Sequence, residues 1–181
     1  YSRGLQFLAA YTLGKSNDYY SGGQINELFA MPGDELNWKL NYGPSDFDRR
    51  HRLVTSFVYE LPKNWQLNGI LTLQTGLPFT IIDSPNLAII QRANFAPGAH
   101  DLLTTGDIES RLNQYFNTSA FALSRPILNG ANLGTPNNPA FDPNNPFGNT
   151  PRNFLYGPGQ KNLDFSVVKF MPVRETVRAE I

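Results

Sequence analysis

Residues 52–76, "RLVTSFVYELPKNWQLNGILTLQTG", hold two runs of alternating residues with only Pro62, Lys63 and Asn64 between them. In the first run Leu53, Thr55, Phe57, Tyr59 and Leu61 share one side, and Arg52, Val54, Ser56, Val58 and Glu60 share the other. In the second, Trp65, Leu67, Gly69, Leu71 and Leu73 oppose Gln66, Asn68, Ile70, Thr72 and Gln74. A period of two sends successive side chains to opposite faces of a β-strand. The pattern therefore demands a sheet with two unlike environments. It leaves open which environments they are. A soluble sheet turns its apolar face to a core and its polar face to water. A membrane barrel turns its apolar face to lipid and its polar face to a lumen.

The same period recurs. Leu5, Phe7, Ala9, Tyr11 and Leu13 alternate with Gln6, Leu8, Ala10 and Thr12; Leu163, Phe165 and Val167 alternate with Asp164 and Ser166; Val177, Ala179 and Ile181 oppose Thr176, Arg178 and Glu180. The reading is one domain over 1–181, with strands at about 3–13, 52–62, 65–76, 162–170 and 175–181. Long loops fill about 15–51 and 77–161, the second crowded with Pro, Asn and Gly. A short connection is expected at Met171-Pro172-Val173, and "PFTII" is a candidate extension of the sheet. "DIESRLNQY" is the one weak helical stretch. Connections thus run long, short, long, short. Structureless loops beyond about 15 residues are uncommon in compact domains, but tight turns on one side and long loops on the other are the habit of an outer-membrane barrel. Strands of about 9–11 residues also suffice to cross a bilayer when tilted. The fold class expected is all-β: antiparallel up-and-down strands forming a partial outer-membrane β-barrel with long extracellular loops.

Composition agrees in part. Charged residues are 17% of the chain, below the quarter or so usual in soluble domains. Fifteen basic residues balance fifteen acidic ones, so no charge excess points to nucleic acid. Cysteine is absent, which excludes a disulfide framework, a thiol nucleophile and a Cys-ligated metal. No run approaches the roughly 18 apolar residues of a membrane helix. Opening at Tyr1 and stopping at Ile181 inside an alternating run, the sequence reads as a piece of a longer protein. Polar strand faces carry Gln, Asn, Thr and Ser rather than the Lys and Glu that protect soluble strands. Tyr59 and Trp65 flank the short turn, where an interfacial aromatic girdle would sit.

Signatures of chemistry are weak. Asp46, Asp48 and His51 in "SDFDRRH" have the residue types of a metal or acid–base site, but interleaved acids and bases before a strand satisfy one another. "PNNPAFDPNNPFGN" offers Asp142 and Asn carbonyls, too few oxygens for the six or so that calcium requires. The "FNTS" sequon at Asn117 is a common chance triplet. Gly157-Pro158-Gly159 reads as a turn, and no phosphate loop, Gly-x-Ser-x-Gly elbow or His-Glu-x-x-His occurs. No enzymatic activity, catalytic residue, metal or cofactor is expected. Trp38, Tyr42, Phe116, Phe121, Phe147, Phe154 and Tyr156 fall in the long loops, where they either stack on a ligand or pack the loops together. Arg52, Glu60, Gln66, Asn68, Gln74, Arg178 and Glu180 fall on the polar faces, as lumen-lining groups or a network within the wall. Lys169 interrupts an apolar face at a strand end, where its stem can snorkel.

The ordered series "GPSDFDRRHRLVTSFVYELP", "WQLNGILTLQTGLPFT", "RAN", "YFNTSAF", "GNTPRNFLYGPGQKNLDFSVVK" and "RETVRAEI" resembles the C-terminal barrel region of TonB-dependent outer-membrane receptors. The subgroup it looks most like carries an N-terminal carboxypeptidase-regulatory-like domain and is often called Oar-like. The likeness spans roughly residues 42–181. It implies a bacterial outer-membrane barrel of about 22 strands closed by a plug. Import of a scarce or bulky ligand such as a siderophore or oligosaccharide is then driven through TonB. Its partners would be outer-membrane lipid, the plug, TonB and the imported ligand. No plug, TonB box or full strand complement lies within these residues. The competing expectation is a secreted soluble β-sandwich for binding or adhesion, its apolar faces packed on each other; a loop-borne hydrolase site is a remote third.

Overall fold

The computed structural model describes residues 4–21, 37–83, 91–124, 147–174 and 177–180. The chain divides into two compact units. One comprises residues 1–16, 47–77 and 156–181; the other comprises 17–46 and 78–155.

The first unit is an antiparallel sheet of five strands, Leu5–Leu13, His51–Leu61, Trp65–Gln74, Gln160–Arg174 and Val177–Glu180, neighbouring one another in sequence order. This is an up-and-down meander. The register sorts the alternation cleanly. Phe7 pairs Phe57, Phe57 pairs Gly69, and Gly69 pairs Phe165; two rows further along the same face Leu53 joins Tyr11 and Leu73. On the opposite face Thr12, Arg52, Gln74 and Gln160 form one row, and Glu60 faces Gln66. A slip of one residue would mix the faces in every strand. Gly69 permits a close approach: the Phe57 ring lies across it, 2.4 Å from where a Cβ would stand.

The hairpin between the second and third strands turns over Pro62–Asn64. Lys63 and Asn64 both take positive φ, 61° and 63°, the handedness that suits the right-handed twist of paired strands. The short connection expected at Met171-Pro172-Val173 is a correction: the fourth strand runs on to Arg174. Phe170, Met171 and Pro172 pair with Glu180, Ala179 and Arg178, with a register shift after Pro172. Proline has no N–H for the ladder, so it is tolerated beside such an irregularity. "PFTII" does not extend this sheet either: Pro78–Phe79 and Ile82–Asp83 sit in separate two-stranded ladders.

Neither face of the sheet rests on a core. Phe7 is 61% exposed, Leu163 62% and Phe165 57%. A β-sandwich would cover these side chains with a second sheet about 10 Å away. Among the described residues no such layer exists. At one edge of the apolar face Lys169 pairs Trp65, places its ammonium 5.0 Å from the ring centroid and donates to the Lys63 carbonyl. The opposite face is tied by neutral bonds: Gln66 to Asn68 at 2.8 Å, Asn68 to Ser166 at 3.1 Å, and Gln74 to Gln160.

Candidate functional site

Leu13, His51, Gln74 and Gln160 lie at one end of the sheet, where both long insertions leave and rejoin it. Those insertions, read from sequence as loops, build the second unit. It has a small core of its own. Ile81, Ala93 and Leu155 are buried, with Phe79, Leu102, Phe116, Phe121 and Phe154 packed around them. The rings meet edge-on: Phe116 with Phe121 at 5.9 Å, Phe121 with Phe154 at 6.2 Å and Phe95 with Phe154 at 5.7 Å. Such pairs add about 0.5–1.5 kcal/mol each beyond area burial.

Polar groups fasten the two insertions to each other. Arg152 is 2% exposed. Its Nη1 donates to Asp18 Oδ1 at 2.5 Å and to the Asp18 carbonyl at 3.1 Å; its Nη2 donates to Ser21 Oγ at 2.7 Å and to Asp46 Oδ1 at 3.3 Å. Asn153 Nδ2 adds bonds to Asp46 Oδ1 at 2.6 Å and the Pro44 carbonyl at 2.8 Å. Asn153 also exchanges bonds of 2.9 Å with the Thr80 hydroxyl. Burial alone would raise the Asp18 pKa. Hydrogen bonds from Ser45, Arg152 and Ser21 and the guanidinium charge outweigh it and hold the carboxyl below its ordinary value. This clasp joins "PSD" to "TPRN", two stretches of the ordered series more than a hundred residues apart.

"RAN" is explained the same way. Arg92, Ala93 and Asn94 are all buried. Arg92 Nη1 donates to the Leu40 carbonyl at 2.7 Å, anchoring the 3₁₀ turn Trp38–Asn41. Burial, and then the Arg152 charge, lower the Arg92 pKa. Among the described residues Arg92 Nε and Asn41 Oδ1 have no hydrogen-bond partner, and such buried atoms are of the kind that internal water satisfies. Asn94 Oδ1 accepts from Asn149 N at 2.9 Å, and Thr150 Oγ1 donates to the Ala93 carbonyl at 2.9 Å. In "YFNTSAF" the Asn117 Oδ1 accepts from the Ser119 amide and hydroxyl, so the sequon residue caps a 3₁₀ turn. "DIESRLNQY" does form a helix, Ile108–Asn113, with Asp107 accepting from Ser110 N at its start.

The predicted site residues separate into groups. Phe116, Phe121 and Phe154 line the small core, and Phe147 is half-buried. Trp38 and Tyr42 remain 56% and 53% exposed. Tyr156 belongs to the sheet unit, where its hydroxyl donates to Asp48 Oδ2 at 3.0 Å; burial and then that carboxylate raise its pKa. Asp48 also accepts from Ser16 N, and His51 Nδ1 meets the Tyr11 hydroxyl at 2.7 Å. With Asp46 in the clasp, all three groups of "SDFDRRH" have structural partners. No group of three His, Cys, Asp or Glu able to hold a metal occurs among the described residues. Arg52, Glu60, Gln66, Asn68 and Gln74 share one sheet face. Arg178 and Glu180 pair in the ladder with Pro172 and Phe170, but their side chains lie outside the described set, as does Asp142. Tyr19 and Asn17 went unremarked in sequence. Tyr19 meets Tyr42 at a tilt of 51° with centroids 5.1 Å apart, and Asn17 Nδ2 donates to the Tyr42 hydroxyl at 3.3 Å. No sequence signal marks them: Lys15 to Asp18 is polar throughout, so no alternation assigns a face.

Neither a curated protein nor a solved structure matches the chain significantly. A protein-family match runs over residues 1–181, to the family described as outer membrane beta barrel domain. An antiparallel sheet with one apolar and one polar face, its long insertions at one end, accords with that description, and the chain belongs to the outer-membrane β-barrel domain family of the bacterial outer membrane.

Proposed function

We propose that the chain is a wall segment of a TonB-dependent outer-membrane transporter of the Oar-like subgroup, importing a scarce or bulky ligand. The observation that carries the reading is the unit built by the two insertions. Both leave the sheet at one end, and together they form a packed body with a buried arginine clasp rather than separate loops. A packed body of insertions suits a receptor that must select and hold a ligand. The resemblance of the ordered series supports the subgroup, and Asp46, Arg92, Arg152 and Asn153, which lie within that series, help to assemble this unit.

In this reading the insertions lie outside the cell. The first and third strands run outward, the second and fourth inward. Leu53, Phe57, Leu71 and Phe165 meet lipid; Arg52, Glu60, Gln66, Asn68, Gln74, Arg178 and Glu180 line the lumen beside a plug. Open sheet edges are not viable in lipid and single-chain barrels begin at about eight strands, so further strands complete the wall. The external unit captures the ligand, and TonB pulls on the plug to let it pass. The segment itself catalyses nothing.

The test uses the full-length protein in detergent and in planar bilayers. Capture by the periplasmic domain of TonB, with a closed resting conductance, is the expected result. An open pore that ignores TonB would overturn the transporter reading while leaving the barrel intact.

A further inference from the structure

The aromatic residues of the insertion unit divide into two sets, and the smaller set is presented rather than packed. Phe79, Phe95, Phe116, Phe121 and Phe154 are spent on the unit's interior. Tyr19, Trp38 and Tyr42 stay 47%, 56% and 53% exposed. Exposed rings are ordinary singly; here Tyr19 and Tyr42 meet with centroids 5.1 Å apart, and Trp38 lies four residues before Tyr42 in the chain. Asn17 and Asp18 pair with Pro44 and Gly43, and the next step of that register sets Tyr19 opposite Tyr42. Exposure alternates along the strand: Asn17 and Tyr19 point out, while Asp18 points in to Arg152. Trp38 stands one turn before Tyr42, on the 3₁₀ turn that Arg92 anchors through the Leu40 carbonyl. The backbone beneath the three rings is thus fixed from below by two buried arginines.

We infer that Asn17, Tyr19, Tyr42 and Trp38 form a stacking platform for a neutral oligosaccharide. The chemistry is that of a sugar site. Ring faces accept the apolar C–H faces of a pyranose, and the Tyr hydroxyls and the Asn17 amide supply neutral donors and acceptors for its hydroxyls. An anionic chelate needs free cations. Arg92 and Arg152, the two arginines that anchor these segments, are 2% exposed and bonded to backbone and carboxylate, and Lys15 is an exposed cation two residues before Asn17. Lys39, beside Trp38, is the exposed cation of the turn. A preorganised platform loses little freedom on binding, which is how flat, hydrated ligands are held. This assignment rests on the insertion unit facing outward, as in the transporter reading, but binding itself needs neither plug nor TonB.

The test is calorimetry on full-length protein in detergent with maltohexaose, cellohexaose, xylohexaose and mannohexaose. At least one should bind. Tyr42→Ala and Tyr19→Ala should each weaken it about two- to tenfold, as loss of a stacked ring implies. Tyr42→Phe, which keeps the ring, should weaken it less, and Lys39→Ala should leave it unchanged. Retained heat-modifiable mobility on gels verifies that each variant is folded. Two results would overturn the platform: none of the four sugars binding wild-type protein, or a ferric chelate binding instead and being lost in Lys39→Ala. Because binding is read apart from TonB capture, this site and the transport reading fail separately.

Discussion

Replacing Arg152 by alanine removes the guanidinium that joins the two insertions. Four of its contacts disappear together, two of them to the carboxylates of Asp18 and Asp46. Breaking a buried ion pair by deleting one partner costs about 3–5 kcal/mol, because the other charge is stranded. Here the arginine side chain is 2% exposed but each carboxylate keeps 25%, and Asn153 still donates to Asp46. A loss of about 2–4 kcal/mol is therefore the reasoned figure. Arg152→Lys keeps the charge but not the fork that spans both aspartates, and should recover part of the loss. Native-state hydrogen exchange on the full-length protein in detergent reads the effect locally. Amides bonded within the insertion unit, such as Ala93 N to the Ile81 carbonyl and Thr150 N to the Ala93 carbonyl, should lose protection by roughly 30- to 1,000-fold. Sheet amides between residues 52–61 and 65–74 should not change. Unchanged protection at Ala93 and Thr150 would refute the clasp. An equal loss in the sheet would refute the independence of the two units.

Other consequences follow from particular residues. Asp18 has a folded-state pKa below its ordinary value, so its contribution is present above about pH 4 and is lost as pH falls through the lowered value; insertion-unit protection should be flat from neutral pH to about pH 5 and decline only in stronger acid. Gly148 sits at φ 83° with a hypothetical Cβ 1.9 Å from the Arg92 carbonyl oxygen, so Gly148→Ala should open the insertion unit by at least ~1 kcal/mol, visible as new proteolytic cleavage on intact cells. Leu163→Arg introduces charge on the exposed apolar face and should cost up to about 2–4 kcal/mol of folding stability in liposomes, depending on its depth, whereas Ser166→Arg on the opposite face should cost much less.

The sheet was readable because its alternation has one cause, two unlike solvents on two faces, and every strand answers to it. Leu53, Phe57, Leu71 and Phe165 carry that signal individually. The turn at Pro62-Lys63-Asn64 was readable from its brevity. The fourth strand was cut short because Met171-Pro172-Val173 was read as a connection, whereas the strand runs through it to Arg174 with a register shift after Pro172. The insertion unit was not legible as a unit. Its core is assembled from single residues, Ile81, Ala93, Phe116, Phe121 and Leu155, scattered without period. Its clasp joins Asp18 to Arg152 across 134 positions, a distance no local pattern spans. The interleaved charges of "SDFDRRH" were expected to satisfy one another locally, but their partners lie far along the chain: Arg152 and Asn153 for Asp46, Ser16 and Tyr156 for Asp48, and Tyr11 for His51. The ring-bearing loop residues were noticed as a class. Which of them pack and which are presented depends on register, Tyr19 opposite Tyr42, that sequence alone does not reveal.

The central claim is that the two faces of this sheet meet lipid and lumen. The stretch contains no cysteine, so single cysteines can be placed in turn at Leu163, Asp164, Phe165, Ser166, Val167 and Val168 of the full-length barrel. Each variant in outer-membrane vesicles is exposed to a lipid-soluble maleimide and to a small water-soluble one. Positions 163, 165 and 167 should react from the lipid phase alone, and 164, 166 and 168 from water alone or, where the plug covers them, with neither. Water-phase labelling at 163, 165 and 167, or reactivity without a period of two, would contradict the account.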